Sequence, residues 1–321
     1  ASLTLDGCHI TKPTGAAFDA TQKAIALGGA VAKSEVEISR YVDTSRYITL
    51  TVRKYSAIKL NFQGAVYGTP VRIVSGTNTQ DIAEAGSLWA SAVPYTAYGT
   101  EMRIYGDLDG FSCSNNKTNL SAIDLSNNTQ LTHLWCGSNT LSTLDVSKNT
   151  ELQWLSCDSN TLRSLNVSKN TELKFLFCSS NTLSSLDVSK NMQLTDLGCS
   201  SNTLSSLDVS KNTELNNLSC SSNNLSRLDV SKNTELERLW CYGNNFSTQA
   251  LDDIYCSLPD RTGSYGYIYP LKNSSDPNQA IVLASNAENA TSKNWDVQYY
   301  DDDTDITTTG SYDCSTAVAE A

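Results

Sequence analysis

Apolar residues recur along the middle of the chain with a period of 21 residues. Residues 152–172 read LQWLSCDSNTLRSLNVSKNTE, and residues 173–193, 194–214 and 215–235 follow the same pattern. Another copy begins at Leu131, a truncated one begins at Leu236, and the first, from Leu108, carries a two-residue insertion. A period of this length predicts a solenoid, in which each turn buries its apolar side against its neighbours.

Each turn is predicted to contain one short strand around its second leucine and its cysteine. In the turn 152–172 the residues predicted to point inward are Leu152, Leu155, Cys157, Leu162, Leu165 and Val167. The residues that flank Leu155 and Cys157 should point outward, because side chains alternate along a strand. Stacked turns would then pair as parallel strands about 4.8 Å apart.

The flanking segments lack the period and are predicted to fold differently. Residues 1–107 should form a β-rich N-terminal domain, with a helix over 18–31 and strands over 48–52, 58–62, 71–74 and 102–105. Residues 247–321 should form a mixed α/β C-terminal cap. Its predicted helices cover 248–258 and 286–293, and its predicted strands cover 265–269, 280–284 and 295–300. Between these segments, residues 108–246 should form about seven turns of solenoid.

Two residue types form ladders inside the predicted solenoid. The inward cysteines are Cys113, Cys136, Cys157, Cys178, Cys199, Cys220 and Cys241. Parallel side chains do not provide the dihedral angle of a disulfide, so these thiols should be reduced and buried. The asparagines of the first corner are Asn139, Asn160, Asn181, Asn202, Asn223 and Asn244. An amide can donate and accept, so it can satisfy the backbone at a tight corner. A second asparagine ladder, from Asn149 to Asn233, should act in the same way.

The consensus LxxLxCxxNxLxxLDVSKNTE resembles the leucine-rich repeat, with cysteine at one apolar position. Because its two halves echo each other, it is similar to the nested bacterial class sometimes called IRREKO, which is common in surface and secreted proteins. The resemblance is specific over residues 108–246. It implies an extracytoplasmic location and a binding or adhesive role. Attachment to the cell surface through a lipid anchor outside this sequence is a further expectation.

Three cysteines lie outside the ladder. Cys256 and Cys314 fall in the same predicted cap, and in an oxidising compartment they are candidates for a disulfide. Two free thiols fit the sequence equally well. Cys8 would then have no partner.

Charge and composition exclude several classes of partner. The net charge is −11, which argues against nucleic acid and anionic membrane surfaces, since both attract Lys and Arg. No apolar run is long enough to span a bilayer. A carboxylate ladder (Asp124, Asp145, Asp187, Asp208 and Asp229) could suggest calcium. However, its acids occur once per turn rather than in clusters, and Asn166 replaces one of them. Backbone capping explains the ladder more simply, and we expect no metal or cofactor.

Catalytic motifs are missing from the sequence. Only His9 and His133 are available, and no phosphate-binding glycine loop, HExxH or CxxC motif occurs. A pair of glycosidase-type carboxylates could lie only in the N-terminal domain. We therefore predict that the protein is not an enzyme.

The outward strand positions vary from turn to turn, although the structural demand on each is the same. They carry one predicted aromatic patch (His133, Trp135, Trp154, Phe175 and Phe177) and a second patch (Arg238, Trp240 and Tyr242). Exposed patches rich in Trp, Tyr and Arg are typical of interaction sites. We predict that they bind a macromolecule, with a protein favoured over a glycan. A covered patch, under a cap or a second copy, and a purely structural module are the alternatives.

Overall fold

The computed structural model describes residues 42–65, 69–82, 85 and 91–314, together with the backbone of five short strands within residues 2–31. Two of these strands, β1 (Ser2–Leu5) and β2 (Cys8–Thr11), pair antiparallel. The other three form a separate antiparallel sheet and are β3 (Ala16–Asp19), β4 (Ala24–Leu27) and β5 (Ala30–Val31).

The helix predicted over 18–31 is therefore wrong. Leu27 and Ala30 are register partners, so only Gly28 and Gly29 separate β4 from β5. A Gly-Gly pair is typical of a two-residue hairpin loop, and this signal outweighs the alanine-rich composition around it. Short apolar runs do not distinguish helix from strand by periodicity alone.

Residues 42–127 form two antiparallel arrangements that share one hydrophobic core. One is a five-stranded sheet in the order β13-β6-β11-β8-β9, and the other has the order β10-β7-β12. The strands are β6 (Tyr47–Val52), β7 (Ala57–Gly64), β8 (Val71–Ser75), β9 (Asn78–Ile82), β10 (Val93–Thr96), β11 (Glu101–Tyr105), β12 (Leu108–Ser112) and β13 (Leu120–Asn127). The predicted strands of this segment are confirmed, although β6 and β7 belong to different sheets.

The repeats continue the second of these sheets as a parallel ladder. Strand β12 pairs antiparallel with β7 on one side and parallel with β14 on the other. The solenoid strands are β14 (His133–Trp135), β15 (Trp154–Ser156), β16 (Phe175–Phe177), β17 (Asp196–Gly198), β18 (Asn217–Ser219) and β19 (Arg238–Trp240). The fold is a leucine-rich repeat solenoid of about six regular turns, preceded by the first turn that carries β12.

The first turn joins the solenoid to the N-terminal sheets. Its first half contributes β12 to the parallel ladder, while its second half contributes β13, which pairs with β6. One hydrogen-bonded sheet and one apolar core thus run from β7 into the repeats. The division into 1–107, 108–246 and 247–321 remains a prediction.

The C-terminal segment extends the same ladder by two strands. Strand β20 (Gly266–Leu271) pairs parallel with β19, and β21 (Trp295–Tyr299) pairs parallel with β20. Three helices cover this end, namely α1 (Thr248–Ser257), α2 (Gln279–Leu283) and α3 (Glu288–Thr291). The strand predicted over 280–284 is wrong, since α2 occupies it. Only Val282 of this helix is buried, so one side of a helical turn contacts the core, although the short apolar run AIVLA is also typical of a buried strand.

Regular burial accounts for the stability of the repeats. In the turn 152–172, Leu152, Leu155, Cys157 and Val167 are fully buried, and Leu165 is 7% exposed. The equivalent leucines of the neighbouring turns are 7% and 8% exposed.

Cys256 and Cys314 form a disulfide that ties the end of α1 to the last described residues. The seven ladder cysteines are free and buried.

Candidate binding face

The strand face is built by three-residue strands whose central leucine points into the core. In β14, β15 and β16 the central residue is buried and both neighbours are half-buried. The strands pair in register, so that Trp135, Ser156 and Phe177 follow one another along the solenoid axis. The predicted outward register of these strands is therefore correct.

An N-terminal aromatic cluster consists of His133, Trp135, Trp154, Phe175 and Phe177. Trp154 is its centre, with its ring centroid 4.4 Å from that of Phe175, 5.6 Å from that of Phe177 and 5.7 Å from that of Trp135. Trp135 in turn stacks on His133 at 5.8 Å. The structure thus brings together all five residues of the first predicted patch.

A C-terminal aromatic cluster is larger than predicted. Trp240 stacks on Tyr269 at 5.8 Å, and Tyr242 stacks on Tyr300 at 5.1 Å. The Arg238 guanidinium lies 5.8 Å from the ring centroid of Tyr267. The three tyrosines lie outside the repeat, so the repeat pattern does not reveal them. Tyr267 and Tyr269 fall in the predicted strand over 265–269, which extends the ladder, and Tyr300 falls at the end of the predicted strand over 295–300.

A central groove separates the two clusters. It has a volume of about 400 Å³ and is lined by Phe177, Asp196, Gly198, Asn217, Ser219 and Trp240, among others. In the structure its small residues form a floor between aromatic walls.

Burial changes the acid–base behaviour of the groups beside the N-terminal cluster. Burial lowers the pKa of His133, against the opposing effect of the nearby Asp109 carboxylate. Burial also raises the pKa of Asp109 and of Asp158. The Asp158 carboxylate accepts hydrogen bonds from the Ser179 backbone N–H and the Ser156 hydroxyl, at 2.8 and 2.9 Å. His133 is therefore mainly neutral at pH 7, since its pKa lies below the ordinary value of about 6.5.

The cysteine and asparagine ladders hold this face from behind. Burial raises the pKa of every ladder thiol, to about 12 for Cys113, so these groups are not nucleophiles at neutral pH. Asn160 is typical of the first asparagine ladder. Its Nδ2 donates to the carbonyls of Cys136 and Cys157, and its Oδ1 accepts from the Leu141 N–H, all at 3.0 Å.

The second asparagine ladder behaves differently from the expectation. The Nδ2 of Asn170 donates to the carbonyls of Val146 and Asn149, at 3.0 and 2.7 Å. Its Oδ1 is buried and accepts no hydrogen bond from the described residues, and the same holds for Asn149, Asn191, Asn212 and Asn233. The prediction that each amide serves as donor and acceptor is correct at the first corner and wrong at the second.

The aspartate ladder caps the backbone. Asp145 accepts a hydrogen bond from the Ser147 N–H at 2.9 Å, and this bond holds the pKa of Asp145 below its usual value. Asn166 accepts from the Ser168 N–H in the same way, at 3.0 Å. A neutral amide can thus replace the carboxylate, which supports the capping explanation over calcium. The described part of the chain contains no group of three or more His, Cys, Asp or Glu side chains arranged to hold a metal.

The fold and this face define a leucine-rich repeat protein with an aromatic strand surface. Solved structures with the same kind of repeat include a domain of InlJ from Listeria monocytogenes, which is described as including a cysteine ladder. It matches at 22% identity and a TM-score of 0.34, over 66% of this chain and 58% of that one. An internalin, inlF, from Listeria monocytogenes matches at 18% identity and a TM-score of 0.45 over 60% of each chain. A leucine-rich repeat protein of Leptospira interrogans matches at 20% identity and a TM-score of 0.35, over 41% of this chain and 42% of that one.

The chain spans less than two thirds of the length of these three proteins. No protein-family model matches the sequence, and no curated protein matches it. At these identities and TM-scores the likenesses support no function. The assignment of the repeat class rests on the sheet and ladders of this chain. Within the described residues, no helix has both the length and the apolar character needed to cross a membrane.

Proposed function

We propose that this chain is a non-catalytic binding protein, and that its strand face contacts a partner protein. The observation that carries the proposal is the contrast between the constant core and the variable face. The exposure of equivalent leucines differs by at most about three percentage points between neighbouring turns, yet the outward residues range from Trp154 and Phe177 to Gly198 and Ser219. The packing of the buried core does not explain this variation, whereas recognition of a partner does.

The composition of the face supports a protein as the partner. Aromatic residues and arginine are enriched at the energetic centres of protein interfaces, where a few residues provide most of the binding energy. Here the five residues of the N-terminal cluster are half-buried rather than enclosed. In the C-terminal cluster Trp240, Tyr242 and Tyr267 are half-buried, whereas Tyr269 is buried and Tyr300 and Arg238 are exposed. The predicted binding residues His133, Trp135, Trp154, Phe175, Phe177, Arg238, Trp240 and Tyr242 all lie on this one face.

The disulfide supports an extracytoplasmic location. Cys256 and Cys314 are bonded with a Cα–Cα distance of 5.5 Å, and such bonds persist mainly in oxidising compartments. The buried ladder thiols are compatible with the same environment, because reactive thiols require exposure as well as a low pKa. We extend the proposal to a bacterial surface or secreted protein.

The decisive experiment presents the protein in parallel to a glycan array and to a pool of extracellular proteins. We expect a protein that is retained by the unaltered chain, lost by the double variant Trp135→Ala/Trp154→Ala, and retained by the control Met192→Thr. Met192 is 61% exposed away from the strand face and replaces a threonine that the sister turns carry at this position. A glycan retained with the same dependence would instead favour the accessory glycan-binding role. If the double variant retained the same protein as the unaltered chain, the proposal would be overturned.

A further inference from the structure

The central groove interrupts a column of stacked rings. Along one register of the face the residues run Phe177, Gly198, Ser219, Trp240 and Tyr269. The Cα atoms of Phe177 and Trp240 are three strand spacings apart, which corresponds to roughly 14 Å. The two residues between them, Gly198 and Ser219, have no ring of their own.

Both walls of the groove present aromatic rings to it. Trp240 and Tyr269 are register partners whose rings lie 7° from parallel, so their stacking runs along the solenoid axis. Trp240 lines the groove together with Ser219, its register partner on the side away from Tyr269. On the other side, the ring of Phe177 leans over Gly198, since a Cβ at that glycine would lie 2.9 Å from the Phe177 Cδ1.

The free width fits one flat group. The leaning ring of Phe177 occupies about one strand spacing, which leaves roughly 9 to 10 Å before Trp240. A flat group in contact with rings on both of its faces needs about 7 to 8 Å. The groove volume of about 400 Å³ lies within the range of small-ligand pockets, ~300 to 1,000 Å³.

A carboxylate lies at one side of the groove floor. The Asp196 Oδ1 accepts a hydrogen bond from the Asn217 Nδ2, and its Oδ2 accepts one from the Thr195 hydroxyl, both at 2.8 Å. These donors are neutral and leave about two acceptor positions of the carboxylate open. Among the ion pairs of the described residues none involves Asp196. Arg238 instead lies over the ring of Tyr267, on the β20 side of its own strand.

We propose that the central groove binds the side chain of an arginine carried by the partner protein. A guanidinium is flat, stacks on aromatic faces and donates paired hydrogen bonds to a carboxylate. A lysine ammonium has the charge without the flat faces, and a neutral ring has the faces without the charge. The net charge of −11 favours approach of a cationic partner. This inference rests on the proposed function, because it identifies what the partner presents to the face.

The test uses four blocked peptides of identical backbone, Gly-X-Gly, in which X is arginine, lysine, citrulline or phenylalanine. Binding to the full chain is followed by NMR through the indole N–H signals of the tryptophans. We expect the arginine peptide to shift the signal of Trp240, assigned with Trp240→Phe, and to bind about tenfold more tightly than citrulline, which has the same shape without the charge. Tighter binding of citrulline or phenylalanine than of arginine would overturn the proposal.

Substitutions in the groove separate the contributions of charge and stacking. Asp196→Asn should weaken arginine binding about tenfold and leave citrulline binding unchanged. Asp208→Asn is the matched control, because Asn166 already occupies an equivalent place in the aspartate ladder with the same backbone hydrogen bond. Equal arginine affinities for these two variants would refute a role for Asp196.

Failure of the arginine proposal can be distinguished from failure of the proposed binding function. If the partner protein is lost by Trp135→Ala/Trp154→Ala but is bound normally by Asp196→Asn, the face binds the partner and the arginine proposal is wrong. If the partner protein binds all of these variants as tightly as the unaltered chain, the proposed function is wrong, regardless of the affinities of the peptides. A methyl glycoside included in the same titration tests the sugar alternative, and preference for it over the arginine peptide would contradict the proposal.

Discussion

Removing Trp154 should separate binding from folding. Its ring contacts those of Phe175, Phe177 and Trp135, at centroid distances of 4.4 to 5.7 Å. Each aromatic pair stabilises the folded state by about 0.5 to 1.5 kcal/mol beyond the effect of burying apolar surface. Because Trp154 is partly exposed, we expect values at the lower end of this range. Trp154→Ala should therefore reduce the free energy of unfolding by about 1.5 kcal/mol through the three lost ring pairs, in addition to the contribution of the buried part of the indole. Its loss of partner binding should exceed about 2 kcal/mol, or roughly thirtyfold in Kd.

The neighbouring core residue provides the comparison. Leu155 is fully buried, so Leu155→Ala should cost about 2 to 5 kcal/mol of stability by opening a cavity. Urea unfolding followed by circular dichroism measures both changes, and calorimetric titration with the captured partner measures affinity at a temperature where both variants are folded. If Trp154→Ala destabilises the protein as much as Leu155→Ala and leaves the affinity intact, the tryptophan has a packing role and the binding hypothesis loses its main support.

Four further outcomes are expected. Thiol reagents should miss the ladder cysteines in the native protein and label all of them after unfolding. EDTA should leave the melting temperature unchanged, because backbone N–H groups rather than a metal occupy the aspartate ladder. Ser201 has a φ of 54° where the last turn carries Gly243, so Ser201→Gly should raise stability by up to ~1 kcal/mol, while Ser201→Ala should not. Asp109→Asn should stabilise the protein at pH 7. Burial raises the pKa of Asp109 in the folded state, so keeping this carboxylate ionised above that pKa lowers the free energy of unfolding. The stability gained by the substitution should vanish as pH falls below about 4, the pKa of Asp in the unfolded chain.

The repeat made much of the fold predictable, because the chain contains its own alignment. Positions that stay constant over successive turns, such as Leu155 or Asn160, must satisfy the same packing or backbone requirement each time. The short elements outside the repeat offered no such comparison. The predictions for 18–31 and 280–284 depend on brief apolar runs, which do not distinguish helix from strand, and both are wrong.

The candidate face was predictable residue by residue, but its shape was not. The sequence identifies Trp135 and Trp240 as outward, since strand periodicity determines the side of a residue. It does not show the direction in which a ring leans or which strand follows β19 in the sheet. Those two facts create the central groove and bring Tyr267 and Tyr269 beside Trp240.

Gly198 shows how the face depends on combinations of residues rather than on single positions. Its equivalents in neighbouring turns are Phe177 and Ser219, so the backbone of the turn itself does not require glycine. The glycine leaves room for the Phe177 ring, because a Cβ at this position would lie 2.9 Å from the Phe177 Cδ1. In a solenoid, a bulky outward residue thus restricts the next turn without disturbing the core beneath either of them. A binding surface can then change by paired substitutions along the axis while the buried leucines and cysteines stay the same, and this is the pattern that the repeats display.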